Sequence, residues 1–227
     1  MINRFYTVEE INPKLKLLSK RYKQIHKEFL ECKDKLVWTN WSGATGYHGY
    51  NQDAYQGWQI AALYGELKAT SDLSVNDMIN NIHLFEDNYQ QKLYPDLERG
   101  ICLADNAKFM PTLVRTLYEC GVKKRVGISV VWPGKNIKWH IDPDPEVDNE
   151  AIIRGLWGLD IRPDGDECSY LCLGTEEEYE TKYFKNDEFM FFYGRVLHKV
   201  ENSLQTPRFV VCFDQDIDKD YLIGLGN

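Results

Sequence analysis

The chain has 227 residues, 43% of them hydrophobic, which is enough for one core of ordinary size but not for two full catalytic domains. Its net charge of −8 and pI near 5.2 argue against nucleic acid or an anionic membrane surface as the main partner, since both would repel it at long range. No stretch approaches the ~20 apolar residues of a membrane span, and the start MINRFYTVEEINPKLK lacks the hydrophobic run of a signal peptide, so the expected location is the cytoplasm. The six cysteines form no CxxC pair and read, in a reducing compartment, as small buried hydrophobes.

In chain order, Leu15, Leu18, Tyr22, Ile25, Phe29, Cys32 and Leu36 recur at steps of three and four, one stripe of a long amphipathic helix over 12–36. Asn12 and Pro13 supply its cap and first turn. Such a stripe could pack on the chain's own sheet or join two copies in a homodimer. His26, on the polar side, is expected to be solvated. Residues 38–65 interleave Trp38, Trp41, Tyr47, His48, Tyr50, Tyr55, Trp58 and Tyr64 with five glycines, which suits an irregular layer closing the core or a lid over a pocket. Within it 57–64 reads as a buried strand, and a short helix is expected near 75–82. A second helix is predicted over 110–120, opened by Pro111 and stopped by Gly121.

Beyond residue 121 the pattern becomes β-rich, with short runs at 125–132, 137–141, 151–161, 168–173, 178–184, 188–193, 196–200 and 208–213. Eight such strands separated by Pro, Gly, Asn or Asp turns predict a mostly β protein with flanking helices, built on a double-stranded β-helix, or cupin-like jelly roll. The expected layout is a single domain over 1–227. Residues 1–121, helical and aromatic-rich, would pack on a barrel core formed by 122–216.

The β-rich half contains two histidines, His140 and His198. In Trp139-His140-Ile141-Asp142, residues two apart on a strand point to one face, so the imidazole of His140 and the carboxylate of Asp142 can converge on one ion. His198, on a later strand, completes a facial set of three. Two imidazoles and one carboxylate leave open positions on octahedral iron, the arrangement of Fe(II) oxygenases. Arg208 opens the strand Arg208-Phe209-Val210-Val211-Cys212-Phe213 on the same face as Val210 and Cys212, so its guanidinium points into an apolar interior. Leaving it there unpaired costs several kcal/mol, on the order of a buried lone charge. Asp160 or Asp214 could meet it, or a bound dicarboxylate could, one end on the metal and the other on Arg208.

From Phe109 to Asp214 the chain resembles the aspartyl/asparaginyl β-hydroxylase-like branch of the 2-oxoglutarate-dependent dioxygenases, through VGISVVWPGKNIKWHID, IIRGLWGLDI and DEFMFFYGRVLHKVENSLQTPRFVVCFD. The resemblance implies Fe(II) on His140, Asp142 and His198, with 2-oxoglutarate as co-substrate anchored through its 5-carboxylate by Arg208. O2 would be the oxidant, and a hydroxylated product, succinate and CO2 the outcome. Two positions depart from the family pattern. The branch acting on epidermal-growth-factor-like domains lacks the carboxylate ligand that this chain keeps as Asp142, so the chain is more similar to bacterial hydroxylases of free amino acids. Leu156 also stands where an Arg-x-His motif beginning at Arg154 would put its histidine.

The expected substrate is a small, amino-acid-like molecule, with Arg154, Trp157 and Arg195 as the substrate-binding candidates and Trp139 and Trp157 flanking the site. The acidic loop 142–150 lacks the spacing and mid-loop glycine of a calcium hand and reads as a solvated turn. Competing readings are a metal-dependent cupin enzyme that does not use 2-oxoglutarate, a hydroxylase of Asp or Asn within a peptide or protein, and a non-catalytic jelly-roll binding module.

Overall fold

A computed structural model describes residues 4–40, 57–67, 74–83, 86, 90–142, 150–163 and 168–225. Most of the aromatic segment (41–56) and of the acidic loop (143–149) therefore lies outside the described residues. Five helices are described: α1 (Val8–Ile11), α2 (Lys16–Cys32), α3 (Val75–Asn80), α4 (Pro111–Glu119) and α5 (Lys219–Gly224). The strands are β1 (Thr39–Asn40), β2 (Trp58–Glu66), β3 (Leu93–Asp96), β4 (Ile101–Ala104), β5 (Lys124–Val131), β6 (Asn136–His140), β7 (Glu150–Asp160), β8 (Ser169–Gly174), β9 (Tyr179–Tyr183), β10 (Phe189–Tyr193), β11 (His198–Asn202) and β12 (Arg208–Asp218).

Local chemistry accounts for the helix starts. Thr7 and Glu10 cap α1 reciprocally, the Thr7 hydroxyl accepting from the Glu10 amide while the Glu10 carboxylate accepts from the Thr7 amide. Asn12 accepts from the Lys14 amide, and Pro13 opens a single 3-10 turn that runs into α2. A second 3-10 turn at Lys33–Lys35 ends the stripe, so the predicted helix is shortened at both ends. His26 corrects the sequence expectation. It stacks on Tyr22, with ring centroids 5.5 Å apart, and its Nε2 lies 3.3 Å from the buried Asp160 carboxylate.

The eight strands from β5 to β12 are shared by two antiparallel sheets, successive strands crossing from one to the other except for the β8–β9 hairpin within the smaller sheet. One follows the order β10-β7-β12-β5 and the other β6-β11-β8-β9. This winding is the double-stranded β-helix. N-terminal strands extend the first sheet through β2, β4 and β3, with β1 on β2.

The period of two along each strand then builds two cores. Facing outward from the larger sheet, Phe209, Val211 and Phe213 of β12, Ile128 and Val130 of β5 and Trp157 of β7 pack with Leu18, Ile25 and Phe29 of α2 and Leu113 and Leu117 of α4. Gly155 lies on this face because a Cβ there would come within 2.4 Å of the Phe213 ring. Facing inward, Val210, Cys212, Val131, Leu156 and Phe192 meet Ile137, Leu171, Leu173 and Val200 of the smaller sheet. Burying four or five large side chains per face, at ~1.5–3 kcal/mol each, makes both layers cohesive. The inner layer also carries buried charge, at Asp142, Arg154, Arg208 and Asp214.

Candidate metal centre

His140 ends β6 and His198 begins β11, and the two strands pair with His140 directly opposite His198. The histidines are therefore a cross-strand pair with ring centroids 4.1 Å apart. Asp142 lies two residues beyond His140, outside the ladder, where its amide donates to Gly194 O at 2.9 Å in the turn between β10 and β11. All three side chains are buried, and one donor atom from each lies within 4.8 Å of the others.

Hydrogen bonds orient the donor atoms. His140 Nδ1 is 2.8 Å from Lys138 O, and His198 Nδ1 is 2.8 Å from Val196 O. A carbonyl oxygen only accepts, so each Nδ1 carries a proton and each Nε2 presents its lone pair whenever the ring is neutral. Burial first, and the neighbouring imidazole second, push His198 down to about 3; burial likewise lowers His140, so both rings are neutral at physiological pH. Burial alone would raise Asp142, but the Arg154 guanidinium outweighs it and holds the carboxyl below its usual range. The two lone pairs face the anion, with His140 Nε2 3.8 Å from Asp142 Oδ1 and His198 Nε2 3.9 Å from Oδ2. Three electron-rich groups crowded into one dry place repel one another unless a cation sits among them. The donor set of two nitrogens and one carboxylate suits a divalent transition metal such as ferrous iron.

Arg208 is fully buried on the inner face of β12, with its guanidinium 4.3 Å from the centroid of the Phe184 ring. Its Nε and Nη1 find no hydrogen-bond partner among the described residues. Neither carboxylate considered from sequence serves it: Asp160 is taken by Arg162 and His26, and Asp214 by Arg125 and Arg154. Burial lowers the Arg208 pKa to about 9, the mark of a cation without its counterion. In register beside it are Val131 of β5 and then Trp58 of β2, whose ring lies 6.3 Å from that of His140. One wall of the interior thus runs from the buried guanidinium to the histidine pair.

Sequence reasoning did not single out several residues of this interior. Ser129, opposite Val210 and buried, accepts from Trp58 Nε1 at 2.8 Å. Phe192 packs its ring 4.8 Å from that of His198. Asn202 ties β11 to β5 by donating to Val131 O at 2.9 Å. Strand parity could have flagged Ser129, because it shares the inward parity of Arg208 once the register is known.

The substrate-binding candidates fare differently. Arg154 faces inward but is engaged by Asp142, 2.9 Å from Nη1, and by Asp214, 2.5 Å from Nε. The carboxylates it meets come from the chain itself. Trp157 points the other way, into the outer core, edge-on to Tyr22 and donating to Asp187, so it does not flank the site. Trp139 likewise lies on the outer surface of the smaller sheet against Tyr179, with the Lys199 ammonium 5.5 Å from its ring centroid. Arg195 is exposed on the turn that holds Asp142 through Gly194.

The fold and site define a double-stranded β-helix protein with a buried two-histidine, one-carboxylate cluster. A family model for aspartyl/asparaginyl β-hydroxylase matches residues 19–216, and the chain belongs to that family of hydroxylases. No curated protein matches it. Among solved structures, similarity extends to a prolyl hydroxylase from Trichoplax adhaerens, in complex with a hypoxia-inducible-factor oxygen-degradation-domain peptide fragment. That pair is 12% identical, covers 90% of this chain and 81% of the other, and has a TM-score of 0.44. A cupin domain from Bordetella pertussis is 17% identical over 41% of this chain and 80% of that one, with a TM-score of 0.29. No described helix is long and apolar enough to cross a membrane.

Proposed function

We propose that this protein is an Fe(II)- and 2-oxoglutarate-dependent oxygenase that hydroxylates an unactivated C–H bond of a small, amino-acid-like molecule in the cytoplasm, releasing succinate and CO2. The observation that carries the reading is Arg208: a buried guanidinium with two nitrogens unsatisfied among the described residues, on the wall that leads to His140. A dicarboxylate supplies what both ends of that wall lack, an anion for Arg208 and a chelating end for a metal on His140, Asp142 and His198. Held there, ferrous iron supplies the activation of O2, coupled to oxidative decarboxylation of the co-substrate.

The chain's own groups set the conditions for that chemistry. The Lys138 and Val196 carbonyls fix both imidazoles as Nε2 ligands. Trp58, Phe192 and Phe184 exclude water, which strengthens every charged contact inside. Ser129, on the Arg208 face, has a hydroxyl proton available for a co-substrate oxygen once its own oxygen has accepted from Trp58. A second reading, hydroxylation of an Asp or Asn side chain within a peptide, is favoured by the family's description. Retention of Asp142 favours the free molecule.

The test is anaerobic addition of Fe(II) and 2-oxoglutarate, followed by a screen of free amino acids and Asp- or Asn-containing peptides for succinate release coupled to substrate consumption. The expected result is a weak visible charge-transfer band and succinate formation that requires Arg208. Turnover unchanged in Arg208→Met, with metal bound, would sink the 2-oxoglutarate reading and leave a cupin-type metalloenzyme.

A further inference from the structure

Asp142 stands at one end of a line of alternating charge that crosses the protein. Arg154 of β7, 4% exposed, places Nη1 2.9 Å from Asp142 Oδ2 and Nε 2.5 Å from Asp214 Oδ1. The other oxygen of Asp214 accepts from Arg125 Nε at 2.6 Å. Asp142 belongs to the smaller sheet's side of the barrel, whereas Arg154, Asp214 and Arg125 come from β7, β12 and β5 of the larger sheet, with Asp214 in register opposite Arg154. The Asp142–Arg154 contact is thus an ion pair between the two sheets, and Arg125 brings the far end of the line towards solvent.

The pairing is asymmetric with respect to the histidines. Oδ2 lies between Arg154 Nη1, at 2.9 Å, and His198 Nε2, at 3.9 Å, while Oδ1 faces only His140 Nε2, at 3.8 Å. Asp142 lies outside the ladder; its amide bond to Gly194 positions its backbone, and the Arg154 guanidinium forms an ion pair with its carboxylate.

Resting on the metal reading above, we infer that Arg154 is a positioning residue that holds one oxygen of Asp142 so that the other serves a divalent cation as a single-oxygen ligand. The space between Arg154 and the histidines is then an anion slot that the chain fills with its own side chain. Two consequences follow from the chemistry. A carboxylate clamped at one oxygen is kept from chelating the cation through both, which preserves open positions on it. Removing the Asp142 side chain while keeping Arg154 leaves a slot with the charge and hydrogen-bond donors to accept a small free carboxylate. If Arg154 served only to neutralise Asp214, neither consequence would hold.

The test is Mn(II) binding to the full chain, followed by loss of the free-ion electron paramagnetic resonance signal, with and without sodium formate. Arg154→Gln is expected to weaken Mn(II) binding by about 10- to 100-fold, in the range of other outer-shell changes, and Arg154→Lys by less. Asp142→Gly is expected to lose Mn(II) binding and to recover at least about tenfold in affinity with formate, and Asp142→Gly/Arg154→Gln to recover none of it. Mn(II) binding by Arg154→Gln equal to wild type, or equal formate rescue with and without Arg154, overturns the inference. Should circular dichroism show Arg154→Gln unfolded, the lysine variants carry the comparison: Arg154→Lys keeps the charge but not the two-pronged hold. Formate rescue in Asp142→Gly/Arg154→Lys as strong as in Asp142→Gly then overturns it. A wild-type chain that takes up no Mn(II) removes the metal centre itself, a failure distinct from that of Arg154.

Discussion

The two buried arginines of the barrel interior sit on neighbouring strands of one sheet and live in opposite conditions. Arg154 is bracketed by Asp142 and Asp214, whereas Arg208 rests against the Phe184 ring with two nitrogens unmet among the described residues. The difference separates two uses of buried charge. A guanidinium satisfied by the chain belongs to the architecture of the site, and one left unsatisfied is a standing cost that a ligand can relieve. The two faces of β12 differ as well: Phe209, Val211 and Phe213 close an apolar core, whereas the inward face sets Arg208 and Asp214 beside Val210 and Cys212.

The largest effect that would break this contrast is at the cluster itself. His198→Ala or Asp142→Ala is expected to remove metal binding by more than the ~100-fold typical of an outer-shell change, and turnover with it, as read by Mn(II) titration and succinate release. Arg208→Met comes next. Loss of a buried charge-assisted pair of ~2–5 kcal/mol raises the 2-oxoglutarate requirement by about 30-fold or more, measured as kcat/KM. The thermal midpoint of the ligand-free protein should meanwhile hold or rise, because a stranded cation has been replaced by hydrocarbon. Phe213→Ala, on the opposite face of the same strand, should do the reverse. It costs ~3–5 kcal/mol of stability in denaturant titration, with activity per folded molecule retained. If Arg208→Met destabilised as much as Phe213→Ala, the distinction between the two faces would be wrong.

Smaller effects sharpen the picture. His198, held down to about 3 by burial, and His140, lowered for the same reason, bind fewer protons folded than unfolded. Stability of the metal-free protein from these groups is therefore complete above the ordinary histidine pKa of ~6.5 and is lost as pH falls from there towards 3. A denaturation series between pH 7 and pH 4 checks the sign. Bound metal, which competes with the protons, should shift the loss to lower pH. His26→Ala, which removes the contact of a partly exposed imidazole with buried Asp160 while Arg162 still pairs that carboxylate, should cost no more than ~1 kcal/mol.

Much of this architecture is legible in one dimension because strand and helix periods are written directly in the side chains. All eight barrel strands fall within a residue or two of their sequence-derived positions except β12, which continues to Asp218, and α4 begins at the expected Pro111. The alternation Arg208-Val210-Cys212 against Phe209-Val211-Phe213 was sufficient to turn Arg208 inward. What parity could not tell was which inward charges meet. Arg154 and Arg208 have the same parity relation to the barrel interior, yet only Arg154 has a carboxylate opposite it in register, Asp214 of β12, and a second reaching in after β6. Trp157 and Trp139 illustrate the same limit. Each adjoins a functional position in sequence, and for that reason each faces away from it on a strand.

The sequence by itself determined the winding of the barrel, the inward direction of His140 and Arg208, and the identity of the three convergent side chains, because each depends only on local period and spacing. Tertiary structure alone decided that His140 and His198 are paired across adjacent strands, that Asp214 and Asp160 are committed elsewhere, and that among the described residues Arg208 meets no carboxylate while Arg154 meets two. Those outcomes depend on register between strands far apart in the chain, and one residue of slip would have exchanged every partner.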